Sequence, residues 1–151
     1  MFKNFDDNLH VVSHTLKAWS LGDIDEALRY MAPDIEYFVN VDPRVAPFAA
    51  STSGVAALRE RMQLLLDTFR IEAFVVRDIR ICEDDSSVVR VNIEYVYRER
   101  TTNTCLDGHF RLIIHTAGGM ISQIEKIHDS HYVEAFARLV DMMHETTKDP
   151  A

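Results

Sequence analysis

Basic residues are in the minority, glycine is sparse and long apolar runs are absent, and each shortage closes off a class of function. The 151 residues hold 16 Lys and Arg against 24 Asp and Glu, a formal net charge of −8. Such a surface repels phosphate backbones, so binding nucleic acid would need a local basic patch. The nearest thing to one, Arg98-Glu99-Arg100, is mixed in sign. No apolar run approaches the roughly 18–20 residues that span a bilayer. The opening Met1-Phe2-Lys3-Asn4-Phe5-Asp6-Asp7 turns acidic where a secretory leader would turn apolar. A cytoplasmic protein without membrane contact is therefore expected. The five glycines are scattered and build no phosphate-cradling loop, and no Gly-x-Ser-x-Gly elbow accompanies Ser51, Thr52 and Ser53. Cys82 and Cys105 are far apart and lack metal-ligand spacing, so in a reducing compartment they read as buried thiols. No cofactor and no metal are expected.

What remains is 47% hydrophobic and 26% charged, enough for one domain over 1–151 with a real core. Leu9, Val12, Leu16 and Trp19 share one face of a helix expected over 6–21, with Asp6 or Asp7 as its cap and Gly22 as its left-handed stop. His10 and His14 fall on the opposite, solvent face; their spacing of four could suit a metal, as could His128 with His131, but seven histidines make accidental spacings common. Asp23 with Glu26 reads as a capping box for a short helix over 23–32, ended by Pro33. A strand over 35–40 and an irregular loop with Pro43 and Pro47 follow. Ser53 is placed to cap a third helix, 54–69, in which Val55, Leu58, Met62, Leu65 and Phe69 keep helical spacing.

After Phe69 the apolar period drops from about 3.6 to 2, and strands are expected throughout 71–128. Ile71, Ala73, Val75, Ile79 and Ile81 alternate with Glu72, Asp78 and Arg80. Val89, Val91, Ile93, Tyr95 and Tyr97 alternate with Arg90, Asn92, Glu94 and Arg98. Leu106, Gly108, Phe110, Leu112 and Ile114 oppose Asp107, His109, Arg111 and His115. Short polar turns join these strands, which predicts an antiparallel meander. A short helix over 130–143 closes the chain, with a frayed tail from Glu145.

Helices ahead of an antiparallel sheet make an α+β domain. Long strands twist, and a curled sheet wrapped round the N-terminal helices forms a cone with a hollow interior. The polar outer face, with Arg90, Glu94, Arg98, His109 and Arg111, is either solvated or covered by a second copy in a homodimer.

The order helix, Gly22-Asp23 turn, short helix, Pro33-Asp34, strand, proline-rich loop, helix, meander resembles the nuclear-transport-factor-2-like superfamily. Its SnoaL-like and ketosteroid-isomerase-like members are the nearer likeness. The matching stretches are Ala18–Tyr37, Pro47-Phe48 through Gly54, and Gly119-Met120-Ile121 to Ile127-His128-Asp129. The resemblance implies an α+β roll with a cavity for a small apolar, polyketide- or steroid-like molecule. It does not choose among isomerase, cyclase, hydratase or dehydratase chemistry. The isomerases' aspartate base falls on Val39, their first-helix tyrosine on Thr15 and their meander aspartic acid on Gly108. Only a one-residue bulge would bring the neighbouring Asp107 inside. Ketosteroid isomerisation by that set of residues is therefore not expected.

The candidate site takes Trp19, Val39, Phe48, Met62, Tyr95, Phe110, Ile124 and Lys126 as ligand-binding, and His128, Tyr37 and Asp107 as catalytic. Each apolar member would equally serve as ordinary core. The tyrosines say more, because a buried hydroxyl needs a partner. Alternation puts Ile124, Lys126 and His128 on one face, and the resemblance points it inward. There His128 would be an acid or base near neutral pH, and Lys126 would hold a carboxylate or enolate oxygen. The competing register places Ile121 and Ile127 inside and Lys126 outside. Two functions follow from the same cavity: acid–base chemistry on a carbonyl-type molecule, or non-catalytic binding and carriage.

Overall fold

Four helices and a six-stranded sheet follow one another in an order that lets the second half of the chain wrap the first. The computed structural model describes residues 2–148, with side chains described from 7 to 146. The elements are α1 (Phe2–Ser20), α2 (Ile24–Ala27), β1 (Met31–Val39), a 3-10 turn (Pro47–Ala49), β2 (Thr52–Ser53), α3 (Val55–Thr68), β3 (Phe69–Ile81), β4 (Val88–Glu99), β5 (Cys105–Ala117), β6 (Met120–Ile127) and α4 (Ser130–Lys148). No helix among the described residues is long and apolar enough to cross a membrane.

The expected meander is present: β3, β4, β5 and β6 pair antiparallel in sequence order. It is extended by an element periodicity could not assign. β1 lies parallel to β6, with Tyr37 beside Ile124 and Val39 beside Lys126, and β2 adds an antiparallel edge to β1. The sheet is thus mixed, in the order β2-β1-β6-β5-β4-β3. Register shifts interrupt the β1–β6, β3–β4 and β5–β6 ladders. Such bulges bend a strand and increase its twist, which curls the sheet around α1 and α3.

Several boundaries differ from expectation for local reasons. α1 begins at Phe2, so Asp6 and Asp7 lie within the helix instead of capping it. α2 keeps its cap, the Asp23 side chain accepting from the Glu26 N–H at 3.2 Å, but ends at Ala27. Pro33 therefore ends no helix and sits inside β1. α3 is capped by Gly54 at φ +88°, a conformation that needs glycine. The Ser53 hydroxyl donates instead to Glu36 Oε2 at 2.6 Å. His14 is not on a solvent face; it meets Glu26 at 2.9 Å and packs edge-on to Tyr30. α4 runs on to Lys148 where fraying was expected, and His144 lies 3.6 Å from the buried Glu99 carboxylate.

The core lies between the concave sheet and the helices: Val12, Leu16, Leu58, Leu65, Ile93, Ile114 and Ile121 are buried in it. Fully buried Phe69 gathers Phe48, Tyr97 and Phe136 around its ring, with centroids 5.0 to 5.9 Å away. Truncating such a ring costs about 3–5 kcal/mol. Val133 and Phe136 of α4 are buried in the same core. Cys82 and Cys105 are free thiols and only partly buried.

Candidate functional site

Alternation along four strands decides which side chains meet inside the curl. In β4 and β5 the ladder is unbroken from Val88 opposite His115 to Arg98 opposite Cys105. Tyr95 and Phe110 therefore stay inward, and both are buried. The same unbroken ladder sends Asp107 outward. It is exposed and accepts from the Tyr132 hydroxyl at 2.9 Å, so no bulge brings it to the interior. Gly108 occupies the inward position instead, and an added Cβ there would meet nothing within 4 Å. Thr15, where the resemblance places a tyrosine, donates to the Val11 carbonyl of its own helix at 2.9 Å.

In β6 a register shift between the pairs His115–Gln123 and Thr116–Ile121 reconciles the two registers the sequence allowed. Ile121 faces inward before it, and Ile124 and Lys126 face inward after it; all three are buried. Ile127 lies on the other side, in a groove with Arg90 and Arg111. Asn40 then fixes the end of the strand: its side chain accepts from the His128 N–H at 2.8 Å and donates to the His128 carbonyl at 3.0 Å.

Two adjoining hollows result. The larger has about 560 Å³ of empty space, its open mouth included, and its walls include Trp19, Tyr37, Arg61, Met62, Ile124 and Lys126. The smaller, about 320 Å³ counted the same way, is lined by Val39, Phe48, Tyr95, Tyr97 and His128 among others. Tyr37, Leu65 and Lys126 belong to both walls. Every sequence-derived candidate except Asp107 thus borders one hollow or the other.

The electrostatics of this interior are unusual for an acidic protein. Among the described residues no Asp or Glu lines either hollow, yet Lys126 and Arg61 do. Lys126 is 7% exposed and has no hydrogen-bond or ion-pair partner among the described residues. Its ammonium sits 4.4 Å from the centre of the Phe110 ring, a cation–π contact worth up to about 2 kcal/mol when desolvated. Burial lowers its pKa from 10.5 to about 8. His128 packs against the Phe110 and Tyr95 rings at 5.1 and 5.8 Å, and its buried Nδ1 has no hydrogen-bond partner among the described residues. Burial, then the positive charge of Lys126, drives it down to about 2, so the imidazole is neutral throughout the physiological range. Burial pushes the Tyr37 hydroxyl well above its ordinary value against a smaller opposing pull from Arg61. Tyr95 is raised likewise, by burial first. Trp19 is held by its indole N–H donating to the Tyr97 hydroxyl at 3.1 Å.

Arg61 and Phe74 were missed. Arg61 follows Leu58 by three and precedes Leu65 by four, so its place on the buried stripe was readable; its charge argued for solvent. Its Nη1 donates to the Pro47 carbonyl, while its buried Nε has no hydrogen-bond partner among the described residues. Phe74 lines the larger hollow because register shifts in β3 break the alternation around it and expose Val75. No sequence signal marks those shifts. Among the described residues no three His, Cys, Asp or Glu side chains converge where they could hold a metal ion.

The SnoaL-like domain family matches residues 12–124 of the chain. No curated protein matches it significantly in sequence. Solved structures do match in fold. A candidate polyketide cyclase of Xanthomonas campestris pv. campestris is 19% identical with TM-score 0.73, covering 89% of this chain and 98% of that one. TerC, co-crystallised with polyporic acid, is 17% identical with TM-score 0.74, over 89% and 98%. An NTF2-like protein of Burkholderia xenovorans is 21% identical with TM-score 0.70, over 87% and 95%.

Proposed function

This chain belongs to the SnoaL-like domain family, and on that premise we propose that it takes a small, largely apolar carbonyl-type molecule into its interior and acts on it by acid–base chemistry. Isomerisation, cyclisation, hydration and dehydration are the reactions in reach. The supporting observation is that Tyr37 and Lys126 line both adjoining hollows and His128 the smaller, with no Asp or Glu lining either among the described residues. Lys126 and Tyr37 would donate to the substrate oxygen as negative charge grows on it, where low dielectric makes each donor count for more than in water. Neutral His128 offers a lone pair for a proton leaving carbon. Lys126, at about 8, is the group best matched to proton transfer near neutral pH. The similar structures described as a candidate polyketide cyclase and as TerC with polyporic acid support the substrate class. In this reading the protein works in the cytoplasm as a homodimer joined through the outer sheet face.

The test is a thermal-shift and native-mass screen of aromatic and polyketide-like carbonyl compounds, followed by recovery of each hit. Turnover that falls at least about 100-fold in both His128→Ala and Tyr37→Phe supports the assignment. Turnover untouched in both refutes it. A second reading, a non-catalytic carrier, is favoured by one feature: among the described residues no carboxylate general base lines either hollow, and the pKa of His128 is held far below neutral pH. Recovery of every bound compound unchanged selects that reading.

A further inference from the structure

We infer that Lys126 is a covalent site: its amine adds to the carbonyl of an aldehyde or ketone ligand in the hollow and forms an imine. The inference rests on the pocket reading above and goes further, from holding an oxygen to bonding a carbon. Buried lysines are ordinarily neutralised by a carboxylate partner, since a lone ammonium in an apolar interior is costly. Lys126 has none among the described residues; its ammonium lies instead over the Phe110 ring face. It borders the larger hollow, so a ligand seated there can present a carbonyl to it. The titratable groups sharing these walls are His128 of the segment after β6, Tyr37 of β1, Tyr95 and Tyr97 of β4 and Arg61 of α3, none of them an anion at neutral pH.

The chemistry balances without any further reagent. The neutral amine's lone pair forms the C–N bond while the carbonyl π electrons move to oxygen. A proton passes from nitrogen to that oxygen to give the carbinolamine. The nitrogen lone pair then forms C=N as the C–O bond breaks, and the remaining N–H proton passes to the leaving hydroxide, which departs as water. Amine plus carbonyl becomes imine plus water. Neutral His128 carries one N–H donor and one lone pair, so it can relay the proton without acquiring net charge. With burial lowering Lys126 from 10.5 to about 8, far more of it is free amine near neutral pH than of an ordinary lysine. That gain outweighs the lower nucleophilicity of a weaker base, leaving an advantage of about ten-fold.

The experiment incubates the intact protein with benzaldehyde and sodium cyanoborohydride near neutral pH and maps the reduced adduct by mass spectrometry. The chain has four lysines, Lys3, Lys17, Lys126 and Lys148, so the map is simple. The terminal α-amine, whose ordinary pKa also lies near 8, labels as well; expected on Lys126 is a benzyl adduct formed about ten-fold faster than on exposed Lys17. It should be lost in both Lys126→Met and Lys126→Arg, with far-UV circular dichroism unchanged. Label spread over Lys17, Lys3, Lys148 and the terminal amine, with Lys126 no faster, overturns the inference. Benzyl alcohol, which cannot form an imine, separates the two levels. If native mass spectrometry detects its binding while Lys126 stays unlabelled, the imine falls and the pocket stands. If the alcohol does not bind and Lys126 is unlabelled, both fall for this ligand class.

Discussion

Replacing Lys126 by methionine should make the protein more stable, and the size of the gain follows from the site. Methionine keeps an unbranched chain of similar length and suits the apolar wall. Below pH 8 the lysine is charged in both states, and holding it buried lowers its pKa from 10.5 to about 8. That difference of 2.5 units costs about 3.4 kcal/mol at 1.36 kcal/mol per unit. It reflects desolvation alone, and the Phe110 face returns up to about 2 kcal/mol. A net gain of about 1–3 kcal/mol is left for Lys126→Met at pH 7, or roughly 3–10 °C in Tm for a domain of this size. The pH dependence is the sharper signature. Between about pH 8 and 10.5 the unfolded wild type binds a proton that the folded protein has released. Wild-type stability therefore rises with pH across that window, and the gap to Lys126→Met closes by up to about 1.4 kcal/mol per unit. Urea unfolding of both proteins at pH 7, 8, 9 and 10 measures it. If Lys126→Met is less stable than wild type at pH 7 and the difference is flat with pH, Lys126 is not a lone buried cation. The arguments for an oxygen-binding or imine-forming amine then fail together.

His128 predicts an acid limb: its folded value of about 2 lies below the ordinary 6.5, so stability is lost as pH falls through that range. By about pH 4 the loss reaches roughly 3 kcal/mol; His128→Leu should flatten it, and parallel pH curves for the two proteins would count against the assigned environment. Asp23→Ala removes the α2 cap at the Glu26 N–H and should cost about 1 kcal/mol in urea melts; no change would mean the turn holds without it. For the outer sheet face, Phe38 is 56% exposed beside Glu125 of β6. Sedimentation at micromolar concentration should find a dimer that Phe38→Asp dissociates, whereas a wild-type monomer would reject the pairing.

Much of this molecule was legible before any coordinate. Residue spacing marks α1, α3 and α4, the switch to period 2 at Phe69 marks the meander, and local chemistry marks the Asp23 cap. These are properties of short windows, in which each residue's neighbours in sequence are also its neighbours in space. The outward position of Asp107, a residue expected to be catalytic, does not belong with them: only the unbroken β4–β5 ladder decides it, since a bulge would have turned it inward. The parallel pairing of β1 with β6 does not, because it joins segments more than 80 residues apart and leaves no periodic trace. Nor do the register shifts that turn Phe74 inward and place Ile121 and Ile124 on one side. A bulge is one unpaired residue, and its position is set by how the whole sheet closes over the helices. The same long-range packing, and not any local motif, leaves Lys126 buried against Phe110 with no anion beside it among the described residues.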